Sequence, residues 1–129
     1  MKVNELIEHY THQSLPEIEK ELTKEFILWL DETRPKEVFL SDLYNNVFNQ
    51  KYKKNEILHI TQRFIMGRYE FFKIKFTYKG CIDVSIAEFN KVKSQSFYID
   101  PETKSKISIE DFDKNTFYSF LVNNEIWNN

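Results

Sequence analysis

Val3, Leu6, Ile7 and Tyr10 recur three and four residues apart, the repeat of an amphipathic helix whose outer side carries His9 or His12. Ser14 followed by Glu17 has the form of a capping box, with Pro16 near the first turn, where a missing N–H costs nothing. Leu15, Ile18, Leu22, Phe26, Trp29 and Leu30 then line one face of a second helix, which Arg34 should end because Pro35 disfavours the α conformation before it. Val38–Leu40 fits either a strand or a helix, and Ser41 offers a cap for a helix bearing Leu43, Tyr44, Val47 and Phe48. After a polar loop over 49–55, Asn55 is placed to cap a helix with Ile57, Ile60, Thr61, Phe64 and Ile65 inward and Gly67 at its end.

From Phe71 the repeat shortens to two. Phe72, Ile74, Phe76 and Tyr78 alternate with Lys73, Lys75, Thr77 and Lys79, then Lys79-Gly80 turns the chain and Ile82, Val84 and Ile86 alternate again. This predicts an antiparallel hairpin over about 70–89. A third strand near 97–99 enters an Asp100-Pro101 turn. Ser108 and Asp111 suggest the start of a closing helix carrying Ile109, Phe112, Phe117, Phe120 and Leu121. The expected fold class is therefore α+β: N-terminal helices packed on a small antiparallel sheet, with a closing C-terminal helix, in a single domain spanning 1–129.

Composition agrees with a folded chain. Apolar residues make up 41% and aromatics 16%, too much for a disordered regulator. Glu5 and Glu8 interrupt the first residues, which lack the apolar run of a signal peptide, and Cys81 has no partner for an internal disulfide. The expected location is the cytoplasm. The net charge of −2 conceals a division. Residues 1–50 hold five basic and ten acidic side chains, 51–93 hold ten basic and four acidic, and 94–129 hold three basic and six acidic. The ends are acidic and the middle is basic.

Known chemistries find little support. Two glycines, neither in a Gly-rich run, exclude a phosphate-binding loop and a dinucleotide fingerprint. Asp111–Asn115 opens like a calcium loop, but Thr116 stands where glycine is required and Val122 where glutamate is, so its acids are read as helix N-terminal charges. His9 and His12 have no assignable third metal ligand, and nothing local pairs Cys81 with His59 as a nucleophile and base. The expectation is a protein that is not an enzyme and has no catalytic residues, cofactor or metal.

Two surfaces remain. Turning the apolar face of the second helix inward places Glu17, Glu21, Glu25, Leu28 and Glu32 on one outer stripe, suited to a protein partner with a basic surface. The basic middle offers the alternative. Its order of helix, loop, helix and hairpin resembles a winged-helix domain over about Leu15 to Phe89. The resemblance implies that His59, Gln62, Arg63 and Arg68 face DNA, with Lys51, Lys53 and Lys54 on phosphates and Lys73, Lys75 and Lys79 in the wing. The inter-helix loop is longer than the usual tight turn, and the whole chain is acidic, which ranks this second. The first expectation is an immunity- or inhibitor-type protein that neutralises a toxin or enzyme by occluding a basic site. A DNA-binding regulator is the alternative, and a structural or scaffolding subunit comes third. A Lys-, Asn- and Phe-rich composition resembles that of accessory genes of bacteria and phages.

Overall fold

A computed structural model describes residues 1–11 and 14–128. The predicted N-terminal helices are present: α1 Val3–Thr11, α2 Glu17–Thr33, a short α3 Leu40–Asp42 and α4 Lys54–Met66. His12, half of the histidine pair considered above, lies outside the described residues. The chain divides into two compact units, Met1–Lys73 with Phe120–Asn129, and Ile74–Ser119. None of its helices, among the described residues, is long and apolar enough to cross a membrane.

In the first unit, α2 buries Leu22, Phe26, Ile27 and Leu30, and α4 buries Ile57, Ile60, Thr61 and Phe64. Ring pairs from Phe26 to Phe48, Phe64 and Phe72 knit this core together. The helix ends differ from expectation in instructive ways. Ser14 does not cap α2: the cap position is Pro16, whose carbonyl accepts from the N–H groups of Glu19 and Lys20. Arg34 does end the helix, in a left-handed conformation, its N–H donating to the Leu30 carbonyl. Val38 belongs to a two-residue strand, β1 Glu37–Val38, and the next helix opens at Leu40 behind an extended Phe39, so Ser41 caps nothing.

Helix α4 likewise starts at Lys54, one residue before the expected cap Asn55, with the Glu56 carboxylate accepting from the Lys53 N–H at 2.8 Å. Gly67 closes α4 without a left-handed turn, at φ −75°. Its reason is space. A Cβ there would lie 2.8 Å from the Tyr10 hydroxyl and 3.2 Å from the Arg63 carbonyl.

The hairpin is β2 Phe72–Tyr78 and β3 Ile82–Val84, with Phe76 opposite Val84 and Tyr78 opposite Ile82, and Lys79 and Gly80 both at positive φ in the turn. The second strand ends sooner than its alternation suggested. Ser85 caps a helix, α5 Ile86–Gln95, its hydroxyl accepting from the Glu88 N–H at 3.1 Å, so Ile86 opens a helix instead of extending a strand. Ser85→Ala should therefore lower the stability of the second unit by about 0.5–2 kcal/mol, read as a shift of the urea midpoint with unchanged slope. An unchanged midpoint would show that the Ser85 hydroxyl does not stabilise α5.

The strand at 97–99 exists as β4 Phe97–Ile99, but it pairs with β5 Lys106–Ser108 in a sheet of its own. Asp100 closes the turn between them, its carboxylate accepting from Glu102 N–H at 2.8 Å and Thr103 N–H at 3.3 Å. Those backbone donors, Glu102 first, hold its carboxyl below the ordinary value against the effect of burial. Ser108 does cap a helix, α6 Ile109–Asn115, but this is one short element. From Thr116 the chain becomes a strand, β6 Thr116–Val122, which corrects the closing helix expected through Leu121; a 3₁₀ turn over Asn124–Asn128 follows. The larger sheet has the order β1-β6-β2-β3, antiparallel in its β1–β6 and β2–β3 pairs. In the second unit Tyr78, Val84, Val92, Tyr98 and Phe112 form a core of their own, with Phe76 stacked on Phe89 at 4.0 Å.

Candidate functional site

Four-residue steps do bring Glu17, Glu21, Glu25, Leu28 and Glu32 to the outer side of α2, and all but the half-buried Glu25 are exposed. Leu28, 44% exposed, is an apolar residue on a charged row. Next to it lies a cleft of about 240 Å³, lined by Glu25, Leu28, Trp29, Glu32, Val47 and Phe48. Its far wall comes from a π-helical turn, Leu43–Val47, closed by the Phe48 N–H donating to the Leu43 carbonyl at 2.9 Å. The wider coil of a π turn displaces its side chains from the α-helical track, and such turns recur at functional sites. The result is an apolar floor with a carboxylate at Glu25 and another at Glu32.

Lys51 reaches the same row. Its ammonium lies 3.2 Å from Glu21 Oε1 and 3.4 Å from Glu25 Oε2, while the Tyr52 hydroxyl donates to Glu25 Oε2 at 2.6 Å. The connecting loop turns through Asn49 and Gln50, both left-handed at φ 49° and 61°. Asparagine tolerates that conformation, whereas glutamine pays for it in steric strain, so the loop is held at Gln50 by its surroundings. The Gln50 N–H donates to the Tyr44 carbonyl at 2.7 Å, and that of Lys51 to the Phe48 carbonyl at 2.9 Å. Contact with Tyr52 and then Glu21 pushes the Lys51 ammonium's pKa up, and burial followed by the bond to Glu25 pushes the Tyr52 phenol up to about 12.

The other acids and the basic residues are placed as follows. Glu17 meets only Lys20 among the described ion pairs, at 3.5 Å, and Glu32 has no ion pair among the described residues. Lys53 precedes α4, and Lys54 lies over the Tyr44 ring. His59 is engaged by the Glu19 carboxylate through Nδ1, and Gln62 is exposed. Arg63 is half buried, and its Nη1 has no hydrogen-bond partner among the described residues. Arg68 lies over Tyr69, and Lys73 is exposed on β2. In the second unit Lys75 stands 3.9 Å from Asp83, and Lys79 lies over Tyr78. The winged-helix reading thus draws its residues from two separate units.

Further features bear on the discarded chemistries. His9 is half buried, edge-on to Tyr10 and Tyr69, not solvated on an open face. Cys81 is exposed in the hairpin turn. Asp111 and Asp113 sit within α6, where Lys93 pairs with Asp113. Among the described residues no three His, Cys, Asp or Glu side chains gather as a metal-ligand set. A larger depression of about 550 Å³ surrounds Arg34 and Trp127, but the Arg34 guanidinium is already bonded to Asp31 at 3.1 Å and lies over the indole.

Sequence reasoning missed Trp29, Val47, Phe48 and Tyr52 as parts of the site. Trp29 had been placed with the core, and no spacing connects the 47–52 segment to α2. No family model matches this chain, and neither a curated protein nor a solved structure matches it.

Proposed function

We propose that this chain is a non-catalytic protein-binding domain of the inhibitor or immunity type, acting in the cytoplasm and taking a basic segment of its partner along α2. The observation that carries this reading is the cleft lined by Leu28, Trp29, Val47 and Phe48 together with two carboxylates of α2, Glu25 and Glu32. An apolar floor rewards burial of side-chain carbon, and the carboxylates select a cationic segment and speed its approach. The long stems of lysine and arginine satisfy both demands at once, covering Leu28 and Trp29 while the charged head reaches a carboxylate. A toxin or enzyme whose working surface is basic would be blocked by such a contact.

The DNA-binding alternative draws less support. Three of its residues are engaged within the chain: Lys51 by Glu21 and Glu25, His59 by Glu19, and Lys75 by Asp83. The test is charge reversal. With the partner recovered from the source cells by affinity capture and then purified, the double variant Glu25→Lys, Glu32→Lys should bind it at least about tenfold more weakly by calorimetry. Lys53→Glu with Lys54→Glu should leave that affinity within about twofold. Equal binding by the α2 variant, or a salt-dependent gel shift of duplex DNA abolished by the lysine variant, would reverse the ranking.

A further inference from the structure

Lys51 already does what the proposed partner would do. It is a lysine, it comes from another segment of chain, and its ammonium bridges two carboxylates of the α2 row, one of which also borders the cleft. We infer that Lys51 is an internal stand-in for a lysine of the partner, and that a partner segment docks by putting its own ammonium between Glu21 and Glu25 in place of Lys51, with its apolar residues on Leu28 and Trp29. This rests on the α2 reading above and specifies the group recognised.

The energetics favour exchange over permanent closure. Lys51 and its two carboxylates are about half exposed, so the internal pair holds by no more than an ordinary surface ion pair. The loop that presents it is left-handed at Asn49 and Gln50, a conformation asparagine tolerates, and is held by backbone bonds from Gln50 to Tyr44 and from Lys51 to Phe48 that do not depend on the Lys51 ammonium. The Tyr52 hydroxyl, from a buried ring, independently donates to Glu25 Oε2 and orients that carboxylate. Glu32, with no internal cation among the described residues, supplies a second anchor for a basic segment that runs along the cleft. Without such a stand-in the row would present Glu21 and Glu25 as neighbouring like charges one helical turn apart. Lys51 thus also keeps the free protein from accepting every weak cation it meets.

The experiment uses the full chain and, as probe, a synthetic amphipathic helical peptide with lysine and leucine on one face, titrated by calorimetry at low salt. Lys51→Met is expected to bind about two- to fivefold tighter than the parent, the size of one exposed ion pair, and Glu25→Gln to bind more weakly. Lys24→Met is the control, since it removes the same charge from an exposed position on α2 itself. It should leave affinity unchanged. If Lys24→Met tightens binding as much as Lys51→Met, the gain is general electrostatics and the stand-in is overturned while the α2 site survives. The same holds if Lys51→Met binds no tighter than the parent although Glu25→Gln still weakens binding. Absence of binding by all four chains, with no heat at either of two temperatures well apart, would remove the α2 site itself, and the stand-in with it.

Discussion

Phe64→Ala is expected to destabilise the first unit by about 3–5 kcal/mol, and Phe112→Ala to do the same to the second. Both rings have no exposed surface. Phe64 meets Tyr10, Phe26, Phe71 and Phe72 with centroids 4.8–5.4 Å apart, and Phe112 meets Tyr78, Tyr98 and Phe89 at 4.8–6.1 Å. Truncation removes the burial of a whole ring and leaves a hole that aromatic neighbours, with few rotamers, fill poorly. A loss of this size is a large share of the 5–15 kcal/mol typical of a folded domain. Urea unfolding measures the total. Amide hydrogen exchange locates it: Phe64→Ala should deprotect α2 and α4 first, and Phe112→Ala should deprotect α5, α6 and β4 first. A cost below about 1 kcal/mol for either ring would show that its core is not what holds that unit.

The parts of the fold that were legible from sequence are those in which one period ran long enough to leave a single answer. Leu22, Phe26 and Leu30 announce α2, and Phe72 to Tyr78 announce β2, because each pattern repeats through several turns or pleats. Short elements were harder. Ile82, Val84 and Ile86 continue the alternation of a strand, yet a serine hydroxyl at 85 satisfies a helix N-terminus, and the local hydrogen bond prevails over the pattern. Phe117, Phe120 and Leu121 have helical spacing but lie in β6. The run Thr116-Phe117-Tyr118, β-branched and aromatic, was the signal that favoured a strand.

The candidate site divides in the same way. The acidic row follows from four-residue steps along one helix, so it could be read directly. Its complement could not. Lys51 was counted with a separate basic surface, whereas the chain brings it across 26 and 30 residues to Glu25 and Glu21. Two left-handed residues, neither a glycine, make that turn. Asn49 suits a left-handed turn, but nothing in the residue order says where the turn leads, so the two charged surfaces look independent in sequence although one partly neutralises the other.

Alkaline pH should unfold the protein earlier than lysine and exposed-tyrosine titration alone would require, and Tyr10 is the principal reason. Its side chain is 3% exposed, and burial pushes its phenol up to about 12, partly offset by the nearby Arg63 guanidinium. Tyr52, also buried, is raised to about 12 for its own reasons. In the unfolded chain each phenol titrates near its ordinary value of 10.0. The folded state therefore holds these protons more tightly. Stability is fully present below pH 10, falls as the unfolded chain alone loses the protons between about pH 10 and 12, and levels off once the folded form ionises too. For Tyr10 the loss is on the order of 2 kcal/mol.

Tyr10→Phe isolates the effect, because the hydroxyl it removes is buried with no hydrogen-bond partner among the described residues. At neutral pH the variant should be as stable as the parent or up to about 1 kcal/mol more stable, since no bond is lost and a buried polar atom is removed. Between pH 10 and 12 its urea midpoint should then fall less steeply than the parent's, the gap widening with pH. Parallel midpoints across that range would mean that the Tyr10 phenol ionises as easily in the folded chain as in the unfolded one. A variant less stable at neutral pH would mean that the hydroxyl is hydrogen-bonded in the folded protein.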